Sequence, residues 1–195
     1  MSQVLFITVN DIKLRTGLTA NVDEKLVLPE IYTCQDMFIL PALGTSLYDR
    51  LIKGIEDGDL TETEEGLLNT YVTPTLVFYV MSELPMGLSY QFYNKGVIRK
   101  VDEVQTEPSA QEMVDVANRY KARAEFYKQR LVKYLREESG KNTFPQYNNP
   151  GTRFDTIVPD LEAYTTSIWL GDDDCKCGKT FEEKYQGNRN SCCGK

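Results

Sequence analysis

Four of the five cysteines stand in the last twenty-one residues, in two arms, Cys175-Lys-Cys177-Gly-Lys and Ser191-Cys192-Cys193-Gly-Lys. Four thiolates can close a tetrahedral zinc site; the glycines would permit the turns and the lysines would offset the charge. The usual zinc knuckle is C-x-x-C, however, whereas these pairs are C-x-C and C-C, and adjacent cysteines reach one ion with poor geometry. Disulfides are uncommon in a reducing cytoplasm. Unligated thiols are the third alternative, and the three stay open. A catalytic redox role requires a C-x-x-C at a helix start, which the chain lacks. Cys175, Cys177, Cys192 and Cys193 are thus candidate ligands of a structural zinc in a C-terminal knob, and no other cofactor is expected.

The remaining chemistry is bounded by an absence in the composition. The chain has no histidine, which removes the commonest general base and metal ligand. Ser-His-Asp and Cys-His arrangements are excluded, and no GxGxxG or GxxxxGK[ST] occurs. The adjacent carboxylates Glu64 with Glu65 and Glu137 with Glu138 read as solvated helix surface. An enzyme is not expected. The fifth cysteine, Cys34, falls on an apolar helix face and reads as a core residue. With 195 residues, 41% of them hydrophobic, a single body needs no covalent staple. The net charge of −7 keeps the whole molecule from anionic surfaces. MSQVLFITVNDIK lacks the pattern of a secretory signal, no stretch reads as a membrane span, and synthesis in the cytoplasm follows.

The elements that must carry these residues are mostly helices. Met1 to Gly17 reads as a short strand and a helical turn capped by Asn10 or Asp11. Leu26, Val27, Ile31, Cys34, Phe38 and Ile39 recur at helical spacing, with Pro29 starting or kinking that helix. Thr45 or Ser46 is expected to cap the next, which Gly54 and Gly58 end. Thr61 and Glu64 form a capping box ahead of an all-round apolar helix, bent at Pro74 and stopped by Pro85 and Gly87. Tyr90, Phe92, the turn Asn94-Lys95-Gly96, Val97, Val101 and Val104 then suggest a β-hairpin or extended arm.

From Pro108 to Glu138 a long helix carries Met113, Ala117, Tyr120, Ala124, Tyr127, Leu131 and Tyr134 in alternating steps of four and three, the seam of a helix packed along its length. Seven basic against five acidic residues make it mildly basic within an acidic chain. Arg119, Arg123, Arg130 and Lys133 are its candidates for a negative partner, against the plainer reading of a solvated face. After Gly140 the helical period stops. Phe144, Tyr147, Phe154, Ile157, Val158, Ile168, Trp169 and Leu170 follow as scattered anchors; a segment this long without its own core is either disordered or laid against something else, and the anchors favour the second.

The fold expected is mainly α: a small bundle of about four helices with a β-hairpin or extended arm and a long irregular C-terminal extension. Residues 1–140 form the helical domain with its arm at 87–107, residues 141–174 an extended interaction segment, and residues 175–195 the cysteine-bearing knob. The stretches IYTCQDMFILPALGTSLYDRLI, LLNTYVTPTLVFYVMSELP, NKGV and RAEFYKQRLVKYLREE, followed by FPQY, resemble the head–tail connector proteins of tailed bacteriophages. The likeness is greatest to the ring or adaptor proteins of crAss-like phages that infect gut Bacteroidales. It covers about residues 10 to 147 and rests on apolar patterns; the cysteine-bearing extension departs from it.

The resemblance implies a non-enzymatic virion protein, made in the host cytoplasm. It implies a ring, usually of twelve copies, that docks under the portal protein, lines the DNA channel and seats further neck and tail proteins. The interface candidates are Tyr90, Phe92, Val97, Val101, Phe154, Ile157, Val158, Trp169 and Leu170, with Trp169 the favoured anchor. Arg119, Arg123, Arg130 and Lys133 are the candidates to face packaged DNA. The rival reading is a DNA-binding regulator with a C-terminal zinc knob, against which the acidic balance and scattered lysines weigh. No membrane partner is expected.

Overall fold

The computed structural model describes residues 4–93, 96–99, 109–152 and 155–160. The chain divides into units 1–163 and 164–195; all of the second lies outside the described residues. The first is mainly helical, with six continuous helical runs among its described residues.

α1 (Val9–Arg15) is capped by Thr8, whose hydroxyl accepts from Asp11 N while the Asp11 carboxylate accepts from Thr8 N. Neither Asn10 nor Asp11 is the cap; Asp11 sits three residues in and returns the bond. No strand precedes α1 among the described residues. α2 (Glu24–Cys34), capped by Asp23, continues through a π-helical turn, Gln35–Ile39, into α3 (Leu40–Leu43). α5 (Glu62–Leu67) likewise continues through a π turn, Leu68–Val72, into α6 (Thr73–Ser89).

In both runs the π turn ends two residues before a proline, Pro41 and Pro74. Leu40 N donates to Gln35 O and Thr73 N to Leu68 O, one residue further back than in an α-helix. A proline ring clashes with the carbonyl four residues behind it, and the widened turn moves that carbonyl aside. The chain thus carries both prolines inside continuous helices. Pro85 and Gly87 fail to stop α6 too, which runs on to Ser89.

The fused run Glu24–Leu43 is long and apolar enough, by length and composition, to cross a bilayer, contrary to the expectation from sequence. Its Val27, Ile31, Cys34, Ile39, Ala42 and Leu43 are instead wholly buried in the protein's own core.

Between these runs lies α4 (Thr45–Asp57). Its N-cap is Gly44, at φ +76°, and Thr45 is its first helical residue, so neither Thr45 nor Ser46 caps it. A Cβ on Gly44 would stand 2.6 Å from Cγ of Pro159. Glycine is needed there for backbone conformation and for the close approach of the chain's later segment. Gly58, left-handed, ends the helix; Gly54 is a buried helical position over which Leu60 lies.

Two four-residue strands follow α6, β1 (Tyr90–Tyr93) and β2 (Gly96–Arg99), paired antiparallel with Tyr90 opposite Arg99 and Phe92 opposite Val97. Residues 94, 95 and 100–107 of the expected arm lie outside the described residues. α7 (Ala110–Ser139) is opened by a reciprocal Ser109–Glu112 capping box.

α7 lies along α6, and its tyrosines stack on α6 and the π turn before it. Tyr134 meets Tyr71 at 4.2 Å between ring centroids and Tyr127 meets Phe78 at 5.2 Å. Met113, Ala124 and Leu131 of the expected seam are buried, joined by Val132 and Leu135. α8 (Pro145–Asn148) then turns back, burying Phe144 and Tyr147 in the same core. These two are interior residues of the helical body, not free anchors. Residues 155–160 strap over α3 and α4: Ile157 N donates to Thr45 Oγ1 at 2.8 Å, Thr45 N to Ile157 O, and Asp160 N to Pro41 O.

Candidate interaction surface

Among the described residues the buried side-chain polar atoms are occupied, the Tyr147 hydroxyl excepted. Gln35, fully buried, accepts from Phe6 N at 2.9 Å and donates to Val4 O and to the Tyr48 hydroxyl. This holds the N-terminal segment on the π turn and explains why a polar residue stands there. Arg50 grips Glu64 with two nitrogens, at 2.9 and 3.0 Å, and Asp59 with a third at 2.9 Å. Those bonds raise the guanidinium's proton affinity, Asp59 first and Glu64 next. Glu64 is therefore a buried, paired carboxylate and not the solvated surface group its spacing suggested; Glu65 is exposed. Glu138 accepts from Lys141 and Thr143, bonds that hold its carboxyl below the ordinary carboxylate value.

Cys34 is buried, and its thiol is pushed up to about 12, chiefly by desolvation and further by the charges of Glu83 and Glu30. A reactive cysteine needs the reverse, an electropositive and partly exposed site. Burial also raises the Tyr79 hydroxyl, as does its 2.8 Å bond to Glu125.

The outer side of α7 differs. At 100° per residue, Arg119, Arg123, Phe126, Arg130 and Lys133 share one side of the helix, and all five are exposed. Phe126 is 63% exposed although it is a large apolar ring. Arg123 stands over the Tyr120 ring with Cζ 5.5 Å from the centroid, and Arg130 over Tyr71 at 5.0 Å. Beside them two hollows of about 520 and 440 Å³ share the walls Phe78 and Tyr127. Ala122, Arg123 and Phe126 complete the first; Arg15 of α1, Asn69, Thr70 and Arg130 are among those completing the second. Among the described residues no carboxylate lines either hollow.

Between residues 119 and 133 of α7 there are six cations and one carboxylate, Glu125, which is already bonded to Tyr79. Among the described residues Lys128 alone of those six forms an ion pair, with Asp160 at 3.4 Å. The surface is an aromatic groove edged by three arginines, Arg15, Arg123 and Arg130, that form no ion pair among the described residues. Such a groove holds apolar matter by contact and anions at its rim.

The four basic candidates of the sequence reading thus gather on one exposed face. Of the interface candidates, Ile157 (36% exposed) and Val158 (65%) sit on the strap with their side chains toward solvent. Tyr90, Phe92 and Val97 lie on β1 and β2. Val101, Phe154, Trp169 and Leu170 lie outside the described residues, as do Cys175, Cys177, Cys192 and Cys193. Among the described residues no cluster of three metal-ligating side chains occurs.

The sequence reading missed Phe126, Phe78 and Arg15. Phe126 carried a signal: it falls between Arg123 and Arg130 in steps of three and four, off the apolar seam. Arg15 carried none, because only tertiary packing brings α1 to this groove.

A family profile described as "Family of unknown function (DUF6712)" matches residues 39–157, more than half of the chain. No curated protein and no solved structure matches it.

Proposed function

We propose that this chain, which belongs to the DUF6712 family, is a structural subunit that closes with copies of itself into a ring of a phage head–tail connector. The observation that carries the reading is a surplus of apolar surface on a body whose core is already complete. Leu131, Leu76 and Tyr79 are wholly buried, yet Met37, Phe126 and Val158 are each at least 60% exposed, on the first π turn, α7 and the strap respectively. Exposed apolar residues on separate elements suit heterologous contacts, in which one face of a copy meets a different face of the next. The connector motifs named above supply the rest of the support.

In this reading the strand pair with the residues after it is an arm, and the chain beyond Asp160 an extension, each reaching for a neighbour; the described residues of 141–160 are spent on the chain's own body. Arg119 and Lys133, exposed and away from the groove walls, are the candidates to face packaged DNA. The ring, of about twelve copies by the resemblance, extends the portal channel and seats the tail; no chemistry is asked of it. The cysteine knob is assigned no partner.

Mass photometry and negative-stain microscopy of the full chain, alone and mixed with the portal protein of the same virus, test the proposal. Closed rings of uniform size in either sample are the expected outcome. A chain that stays monomeric in both, or one that is a dimer shifting a duplex DNA band, sinks it.

A further inference from the structure

We infer that the groove between α6 and α7 receives residues 168–174, Ile-Trp-Leu-Gly-Asp-Asp-Asp, from a second copy of the chain. The inference deepens the ring reading and rests on it for the presence of a neighbouring copy.

The groove asks for an occupant of a particular kind. Its floor is Phe78, Tyr127 and the exposed ring of Phe126, and its rim is Arg15, Arg123 and Arg130, none of them ion-paired among the described residues. Stacked aromatic walls take an apolar side chain, a tryptophan above all. Guanidinium groups fixed over tyrosine rings take carboxylates. A bare phosphate backbone would use the arginines and leave the apolar floor unfilled. A purely apolar segment would leave three cations without a partner.

Ile168-Trp169-Leu170 followed by Asp172-Asp173-Asp174 supplies both halves in the same order of chemistry, with Gly171 between them. It holds the chain's only tryptophan and a run of three consecutive aspartates.

The ring reading makes the source a neighbouring copy, and the point where the described chain leaves the body accords with it. Asp160 is held by Lys128 and by Pro41 O. At 100° per residue, Lys128 stands roughly 140–160° round α7 from Arg123 and Arg130. The chain departs on one side of the helix and the groove opens on the other. That is the arrangement of a contact running head to tail from copy to copy. The eight residues from Asp160 to Ile168 span at most about 28 Å when extended, a reach that would also carry the segment round its own helix, so the mixed-label arm of the test decides between the copies.

The test uses the full chain with benzoylphenylalanine in place of Phe126, prepared as an equal mixture of ¹⁴N and ¹⁵N protein and irradiated. Mixed-label cross-links to the tryptic peptide containing Trp169 are expected. They should fall at least tenfold in the Arg123→Glu/Arg130→Glu variant, whose folding is checked by its thermal melt. Changing Asp172, Asp173 and Asp174 to lysine in that variant should restore them. Links confined to one label, links to other segments, protection of the probe by duplex DNA, or no links at all overturn the inference. Rings without this cross-link sink the inference alone; the cross-link in a particle that is not a ring sinks the ring reading alone.

Discussion

At the scale of the residue, tertiary surroundings decided roles that residue type left open. Cys34 was legible as a core residue from its place on an apolar face, but its chemistry was not. Burial, with Glu83 and Glu30 nearby, holds it as the thiol at neutral pH. Native protein treated with iodoacetamide at pH 8 should leave Cys34 unmodified, and unfolding in urea should expose it; peptide mass spectrometry reads the site directly. Rapid native labelling would contradict the burial.

Glu30 offers a second check. Its carboxyl is held above the ordinary value by burial first and by the charge of Glu83 second. The folded chain therefore binds that proton more tightly than the unfolded one, so its contribution to stability is present in acid and is lost as pH rises through the folded value. Glu30→Gln should raise the melting temperature at pH 7, and the gain should shrink as pH falls toward 4.5 and below. A gain that grows in acid would reverse the assignment.

At the scale of the element, capping and heptad signals were readable, whereas boundaries at proline and glycine were not. Thr61 with Glu64 announces α5, and the four-three stripe announces the seam of α7. The bend expected at Pro74 falls where a π turn accommodates the proline, and the stop expected at Pro85 and Gly87 is absent, α6 running on to Ser89. The same helix, α7, has one side that holds the fold and another that does not. Leu131→Ala, at a fully buried seam position, should cost about 2–5 kcal/mol of unfolding free energy. Phe126→Ala on the outer face should change it by no more than about 0.5 kcal/mol. Urea titration of both variants measures the difference, and equal losses would mean that Phe126 is a core residue.

At the scale of the whole molecule, the sequence by itself determined the class of fold and the classes of chemistry it could not perform. Apolar periodicity is a local property, and the absence of histidine is a matter of composition; neither needs coordinates. Reading Phe144 and Tyr147 as free anchors failed because nothing local says that α8 turns back beneath them. Only the tertiary structure decided which surfaces were spent on the body and which were left over. Arg15, Phe78 and Arg130 lie far apart in the chain, and they line one hollow because α1 and α6 pack as they do. Long-range packing sets such neighbourhoods. A one-dimensional pattern can give the face of a helix, but not what stands across from it.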